Sequence, residues 1–192
     1  VFEGKSPIID LQKIALTGKH NISNILAAAT AAKILNVTNN QISMAISNFS
    51  GIEHRLEKVV INNGVAYYND SKATNIESVI AAIQSFSSSI ILILGGKDKD
   101  NNFDELIPFI NKNVKKIISY GQASNKISIA LRDAVELDQV FSLRDAVELC
   151  QKSAAPGDTI LLSPGCASFD QFKNYEERGN EFKRLVNEMA QA

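Results

Sequence analysis

The stretch Ile90-Ile91-Leu92-Ile93-Leu94, closed by Gly95-Gly96, constrains the fold more than any other in this chain. Successive side chains of a strand point to opposite faces, so an unbroken apolar run leaves no face for water and has to be covered on both sides. Five residues suit a strand and fall far short of the roughly 20 that a membrane-crossing helix needs. The same alternation of types continues around it. Apolar positions at helical spacing (Ile76, Val79, Ile80, Ile83, Phe86) precede the run, and Phe103, Leu106, Ile107 and Ile110 predict a helix after it. A strand over Val114–Tyr120 ending at Gly121, a helix over Ala123–Leu131, a short strand near Gln139–Phe141, a helix over Leu143–Lys152 and a strand over Thr159–Leu162 follow. A last helix carries Phe182, Leu185, Val186 and Met189. Strand and helix in strict alternation predict an α/β fold with a mostly parallel sheet and helices on both faces.

Upstream the pattern differs. Asn62-Asn63-Gly64 between Glu57–Ile61 and Val65–Tyr68 reads as a hairpin, because Asn and Gly accept the positive φ of a tight primed turn. Before it, Ile8–Leu16 reads as extended. Ile22, Ile25, Leu26, Ala29 and Ala32 predict a helix starting near His20 or Asn21. A second helix carries Ile42, Ala45, Ile46 and Phe49, with Thr38–Asn40 as cap candidates and Ser50-Gly51 as the stop. A boundary near Gly51 follows, giving segments 1–51 and 52–192. The 192 residues thus amount to one ordinary domain plus a remainder. With a start at Val-Phe-Glu-Gly rather than methionine, the chain is expected to be a fragment. The string Leu-Arg-Asp-Ala-Val-Glu-Leu occurs at 131–137 and at 143–149. Two copies at so short a period do not make a solenoid. The second copy reads as an amphipathic helix and the first straddles a helix end, so the repeat is incidental.

Charge and cysteine usage exclude several classes. Twenty basic against 21 acidic side chains leave a net charge of -1, so no broad positive field exists for nucleic acid or an anionic membrane. Cys150 and Cys166 suit a reducing compartment, and no export signal is visible, so a cytoplasmic location is expected. Neither cysteine stands at metal-ligand spacing from His20 or His54, and no metal site is expected in this segment. The nucleophile elbow G-x-S-x-G, the dinucleotide turn G-x-G-x-x-G and the phosphate loop G-x-x-x-x-G-K-[ST] are all missing from the sequence. If the chain handles a nucleoside triphosphate, the loop gripping its phosphates lies elsewhere.

Three polar clusters follow predicted strands: Asn69-Asp70-Ser71-Lys72-Ala73-Thr74-Asn75, Lys97-Asp98-Lys99-Asp100, and Ser163-Pro164-Gly165-Cys166-Ala167-Ser168-Phe169-Asp170. In a parallel sheet the carboxyl ends of the strands share one edge, where ligands bind. Polar connecting loops are the plainer reading of any one of them. Together they suit a small anion, with Lys72 and Lys99 as cations, Thr74 and Ser168 as hydroxyls, and loop amides near Ser168 as a nest. Asp70 suits a ribose diol or an amine, or it caps the helix that follows. By themselves, His20-Asn21 reads as capping and His54-Arg55 as a hinge contact or surface pair.

In order along the chain, Gly18–Asn24 (GKHNISN), His54–Glu57 (HRLE), Asn69–Asn75 (NDSKATN), Leu94–Lys99 (LGGKDK) and Leu161–Phe182 resemble the Mur ligase family of bacterial peptidoglycan synthesis. The DSKATN form is similar to its D-glutamate-adding branch. The resemblance implies that 1–51 is the tail of a central ATPase domain and 52–192 a Rossmann-like amino-acid-binding domain. It also implies that the phosphate loop and the magnesium ligands lie upstream of Val1. It gives Asn21 and Asn24 as adenine contacts, Arg55 as a phosphate contact with a catalytic part, Asp70 as a ribose ligand, and Lys72 as the catalytic lysine between ATP and the incoming amino acid. Thr74, Lys99, Ser168, the Phe169 backbone and Tyr175 are its D-glutamate contacts, with Lys97 an alternative to Lys99.

The activity implied is addition of D-glutamate to UDP-N-acetylmuramoyl-L-alanine, with ATP and Mg²⁺, through an acyl phosphate that the amine of D-glutamate attacks. Such a transfer rests on positioning and charge neutralisation. The implied partners are these small molecules and upstream domains of the same parent chain, without nucleic acid. The segment alone is expected to be inactive. The other readings of the residues are a stand-alone α/β module that binds a nucleotide or acidic metabolite, and an interaction domain using the same sheet edge.

Overall fold

The computed structural model describes residues 18–191 continuously, together with 2–3, 6–8, 14 and 16. The chain divides into two compact units, Val1–Ile52 and Glu53–Ala192. In the first, β1 (Phe2–Glu3) pairs antiparallel with β2 (Ser6–Pro7), and α1 (Lys19–Ile34) and α2 (Asn39–Asn48) follow. The extended reading of 8–16 lies mostly outside the described residues. Gly18 holds the cap position of α1 without a side-chain bond, so Asn21 sits inside the helix and does not cap it. Thr38 caps α2 in a reciprocal pair: its hydroxyl accepts from the Gln41 amide, and its amide donates to the Gln41 side chain. Ile8, Ala29 and Ile42 form a small core.

The second unit is a six-stranded sheet in the order β3-β4-β8-β5-β6-β7. Its strands are β3 (Glu57–Asn62), β4 (Val65–Asn69), β5 (Ile90–Gly95), β6 (Val114–Tyr120), β7 (Glu136–Gln139) and β8 (Thr159–Gly165). β3 and β4 form the antiparallel hairpin, turning through Asn63 (φ 50) and Gly64 (φ 79) as a primed turn requires. Every pairing from β4 to β7 is parallel. The apolar run of β5 is divided between two faces. Ile90, Leu92 and Leu94 pack with α3 (Ile76–Ile83), α4 (Ile107–Asn113) and α5 (Ser124–Leu131). Ile91 and Ile93 pack with α6 (Leu143–Ser153) and α7 (Tyr175–Gln191). All five are fully buried, each stabilising the fold by about 1.5–3 kcal/mol relative to exposure. Among the described residues no helix is long and apolar enough to cross a membrane.

Some boundaries differ from the sequence expectation. β7 spans Glu136–Gln139 rather than 139–141, and Phe141 is exposed. This edge strand has one apolar residue, Leu137, and is held by Lys116, which bridges Glu136 and Asp138 at 2.7 and 2.8 Å. Hydrophobic alternation has little to report there. Residues 103–106 form a 3-10 turn before α4, and α3 ends at Ile83, before Phe86. β8 runs on to Gly165, absorbing Ser163-Pro164-Gly165 into the strand. A proline lacks the amide a central strand needs, and a register shift opposite Ile93–Gly95 accommodates it.

The two copies of Leu-Arg-Asp-Ala-Val-Glu-Leu take different structures. The copy at 143–149 is wholly helical, because Ser142 accepts from the Asp145 amide and Asp145 accepts from the Ser142 amide. The copy at 131–137 has Ala130 in the capping place, so Leu131 ends α5 and Glu136-Leu137 begin β7.

Candidate functional site

The chain leaves β5 towards β6, on the side away from β8, and enters β8 from β7. Loops after β5 and β8 therefore diverge at the point where the strand order reverses, the usual place for a crevice in an open parallel sheet. A short antiparallel bridge joins them: Lys97 N donates to Ala167 O at 2.8 Å, and Ala167 N to Lys97 O at 3.1 Å. Close approach demands glycine here. A Cβ on Gly96 (φ 124) would stand 2.3 Å from Ala167 O, and one on Gly95 (φ 138) 2.0 Å from Tyr120 O.

The loop after β4 is tied down on several sides. Asn69, fully buried, donates from Nδ2 to Glu57 Oε2 at 2.9 Å, lies 2.9 Å from His54 Nδ1, and accepts from Ser71 N at 3.1 Å. Asp70, 7% exposed, accepts from Leu56 N through Oδ1 at 3.1 Å and from Ser163 Oγ through Oδ2 at 2.9 Å. Burial pushes its pKa up to about 7, against the opposing effects of those two bonds and of Arg55. Asp70 is not the cap of α3; Asn75 is, accepting from Ser78 N at 2.9 Å.

These bonds hold the segment 54–57 in a strained form, with His54 at φ 63 and Leu56 at φ 45. Lys72 N donates to His54 O at 3.1 Å. His54 is buried rather than a surface residue, and burial followed by the Lys183 charge holds its pKa below the usual value, favouring neutral imidazole. Arg55, between the two strained residues, is exposed.

Lys72 is half-buried, its Nζ 2.9 Å from Tyr175 Oη and 4.5 Å from the Tyr175 ring centroid. The phenol oxygen accepts from the ammonium while the ring face attracts the same charge. The His54 ring meets Tyr175 edge-on at 5.9 Å. Thr74 is half-buried, Lys97 and Lys99 are exposed, Ser168 is buried and Phe169 is 63% exposed. Asp98 organises the lysine-bearing loop, accepting from Asn101 N at 3.0 Å and pairing with Lys126 at 2.7 Å. Burial pushes the Cys166 thiol up to about 12, which leaves it a poor nucleophile.

The expected residues thus fall into defined groups. Lys72 and Tyr175 are in contact, and Asp70 fixes the backbone beside Arg55. Lys97 forms the bridge with Ala167, next to Ser168, and Lys99 stands exposed on the loop that Lys97 begins. Asn21 and Asn24 belong to the first unit, on the first turns of α1, where Asn24 Nδ2 donates to Asn21 Oδ1 at 3.2 Å. The residue that sequence reasoning missed is Arg178, fully buried and bonded to Ser71 and Cys166. Its spacing was a signal. Arg178 stands four residues before Phe182 on the apolar stripe of α7, where a charge is unexpected.

Exposed cations at this edge fit a phosphate or carboxylate group. They do not make a metal cage: among the described residues no three His, Cys, Asp or Glu side chains come together to hold an ion.

A family model described as Mur ligase, glutamate ligase domain, matches residues 54–166. The chain belongs to the Mur ligase family. Among similar proteins of this family, UDP-N-acetylmuramoylalanine–D-glutamate ligase of Bacillus cytotoxicus is 44% identical over 98% of the chain and 42% of that protein. The protein of the same name from Acidobacterium capsulatum is 47% identical over 94% of the chain and 39% of its own length. The chain therefore spans about two fifths of the length of these relatives. In three dimensions it resembles the UDP-N-acetylmuramate-alanine ligase MurC of Thermotoga maritima, with a TM-score of 0.69 at 13% identity, over 92% of this chain and 40% of that one. That likeness concerns the fold alone.

Proposed function

We propose that this chain is the C-terminal part of a cytoplasmic, ATP-dependent ligase that adds D-glutamate to UDP-N-acetylmuramoyl-L-alanine in peptidoglycan synthesis. The observation that carries the reading is 44% identity across 98% of the chain to a protein bearing the D-glutamate ligase name. The arrangement of the sheet edge supports it. In this reading 1–51 is the tail of a central ATP-binding domain and 52–192 the domain that brings the amino acid.

Arg55, held outward between two residues of positive φ, is the guanidinium for the phosphates of ATP. Asn21 and Asn24 contact the adenine. Asp70 acts on the nucleotide side, as a ribose contact and by fixing the backbone beside Arg55. Lys72, steadied by Tyr175, neutralises negative charge where the phosphorylated carboxylate meets the amine of D-glutamate. Thr74, Ser168 and the Phe169 backbone hold the amino acid, and Lys99 takes its distal carboxylate. Mg²⁺ is assigned to residues outside this segment.

The test is ADP release by the full-length protein on UDP-N-acetylmuramoyl-L-alanine and ATP, with and without D-glutamate. Lys99→Ala is expected to raise KM for D-glutamate at least tenfold with KM for ATP little changed. A defect confined to ATP would remove Lys99 from the amino-acid side.

A further inference from the structure

Among the described residues Arg178 has the largest fully buried side chain. Among the described residues no carboxylate oxygen lies within 4.0 Å of its nitrogens. Its donors go to uncharged acceptors instead: Nε to Ser71 Oγ at 2.9 Å, Nη2 to Ser71 O at 2.8 Å, and Nη1 to Cys166 O at 3.1 Å. A Cβ on Gly96 would come within 3.1 Å of Nη1, so the loop after β5 passes the guanidinium with no room for a side chain between them. One guanidinium therefore ties the loop after β4 to the end of β8 beside the loop after β5.

Burying a cation with no carboxylate in contact is costly, and hydrogen bonds to neutral oxygens, with Asp170 and Tyr120 in the same surroundings, offset only part of that cost. An apolar side chain of the same volume would fill this part of α7 more cheaply if packing were all that was needed. What the guanidinium provides, and an apolar group does not, is a planar fork reaching two loops at once and a fixed positive charge beneath the sheet edge. Ser71 immediately precedes Lys72, and Cys166 lies two residues before Ser168. The nucleotide-side residue Asp70 is held independently, by Leu56 and Ser163.

We propose that Arg178 is a positioning residue for the acidic amino acid: it sets the spacing between the Lys72 and Ser168 loops and biases the floor of the crevice towards a carboxylate. The proposal rests on the ligase reading above. Its consequence is selective. Altering Arg178 weakens use of D-glutamate and leaves use of ATP nearly intact, whereas a purely structural role would lower the active fraction and leave both KM values alone.

The test uses the full-length enzyme with Arg178→Lys, which keeps the charge and loses the fork, and Arg178→Met, which loses both. We expect KM for D-glutamate to rise about tenfold in the first and further in the second, with KM for ATP within threefold of the unaltered enzyme. Equal rises in both KM values, or none, would overturn the assignment. Should both variants fail to fold, Ser71→Ala removes only the Nε acceptor and the hydroxyl's bond to Tyr175 O. A severalfold rise confined to D-glutamate then supports the proposal, and an unchanged KM overturns it. Absence of D-glutamate-dependent turnover in the unaltered enzyme is a different outcome, which sinks the ligase reading itself.

Discussion

Asp70 shows how one side chain couples the sheet to the strained segment beside it. Its carboxylate is buried and prefers its proton, with a pKa of about 7 in the folded chain against about 3.9 when unfolded. Between those values the folded state holds the proton and the unfolded state has lost it. The contribution of Asp70 to stability therefore falls as pH rises from about 4 to about 7, by up to ~1.4 kcal/mol per pH unit. Asp70→Asn cannot ionise and keeps both bonds, because the Ser163 hydroxyl can turn to accept. Its Tm relative to the unaltered protein should climb from about pH 4 to about pH 7 and level off above that, and a difference independent of pH would contradict the burial argument. Tyr175 invites a second comparison. Tyr175→Phe keeps the ring against Lys72 and loses only the hydroxyl, so it should reduce kcat less than Tyr175→Ala, which loses both contacts; cation–π attraction is worth about 0.5–2 kcal/mol. Similar losses in the two variants would mean that the ring does not hold the lysine.

At the level of elements, much was legible because burial wrote it into the residue pattern. β5 is legible because a strand covered on both faces carries an apolar run ending in glycine, and β6 because Ile117-Ile118 lead into Tyr120-Gly121. β7 was displaced because an edge strand held by Lys116 shows no apolar alternation. Arg178 was hidden for the opposite reason: its position fitted the apolar stripe of α7, and only its chemistry did not. The repeated heptapeptide shows a cap deciding between two structures for one sequence. Ser142→Ala should therefore cost α6 about 1 kcal/mol, measurable by urea denaturation. A stability unchanged within error would show that packing of Leu143, Ala146 and Val147 alone holds that helix. Gly95→Ala should cost several times more, because the added methyl meets backbone at a positive φ.

Across the whole molecule, the sheet order brings loops distant in sequence to one edge, and Lys72, Lys97 and Lys99 stand on those loops in a chain with net charge -1. Fold class and most elements followed from periodicity. The placing of Lys72 on Tyr175 and of Asp70 under Leu56 did not, because contacts between residues 103 or 14 positions apart leave no local pattern. The chain spans about two fifths of the length of its relatives, so the proposed D-glutamate ligase activity has to be measured on a longer protein. The most direct measurement is ADP release by that full-length protein on UDP-N-acetylmuramoyl-L-alanine and ATP, with D-glutamate, L-glutamate, L-lysine or meso-diaminopimelate offered in turn. The account predicts release with D-glutamate alone, abolished or cut at least a hundredfold in kcat by Lys72→Ala. Release that is indifferent to D-glutamate, or that prefers one of the other amino acids, would contradict it.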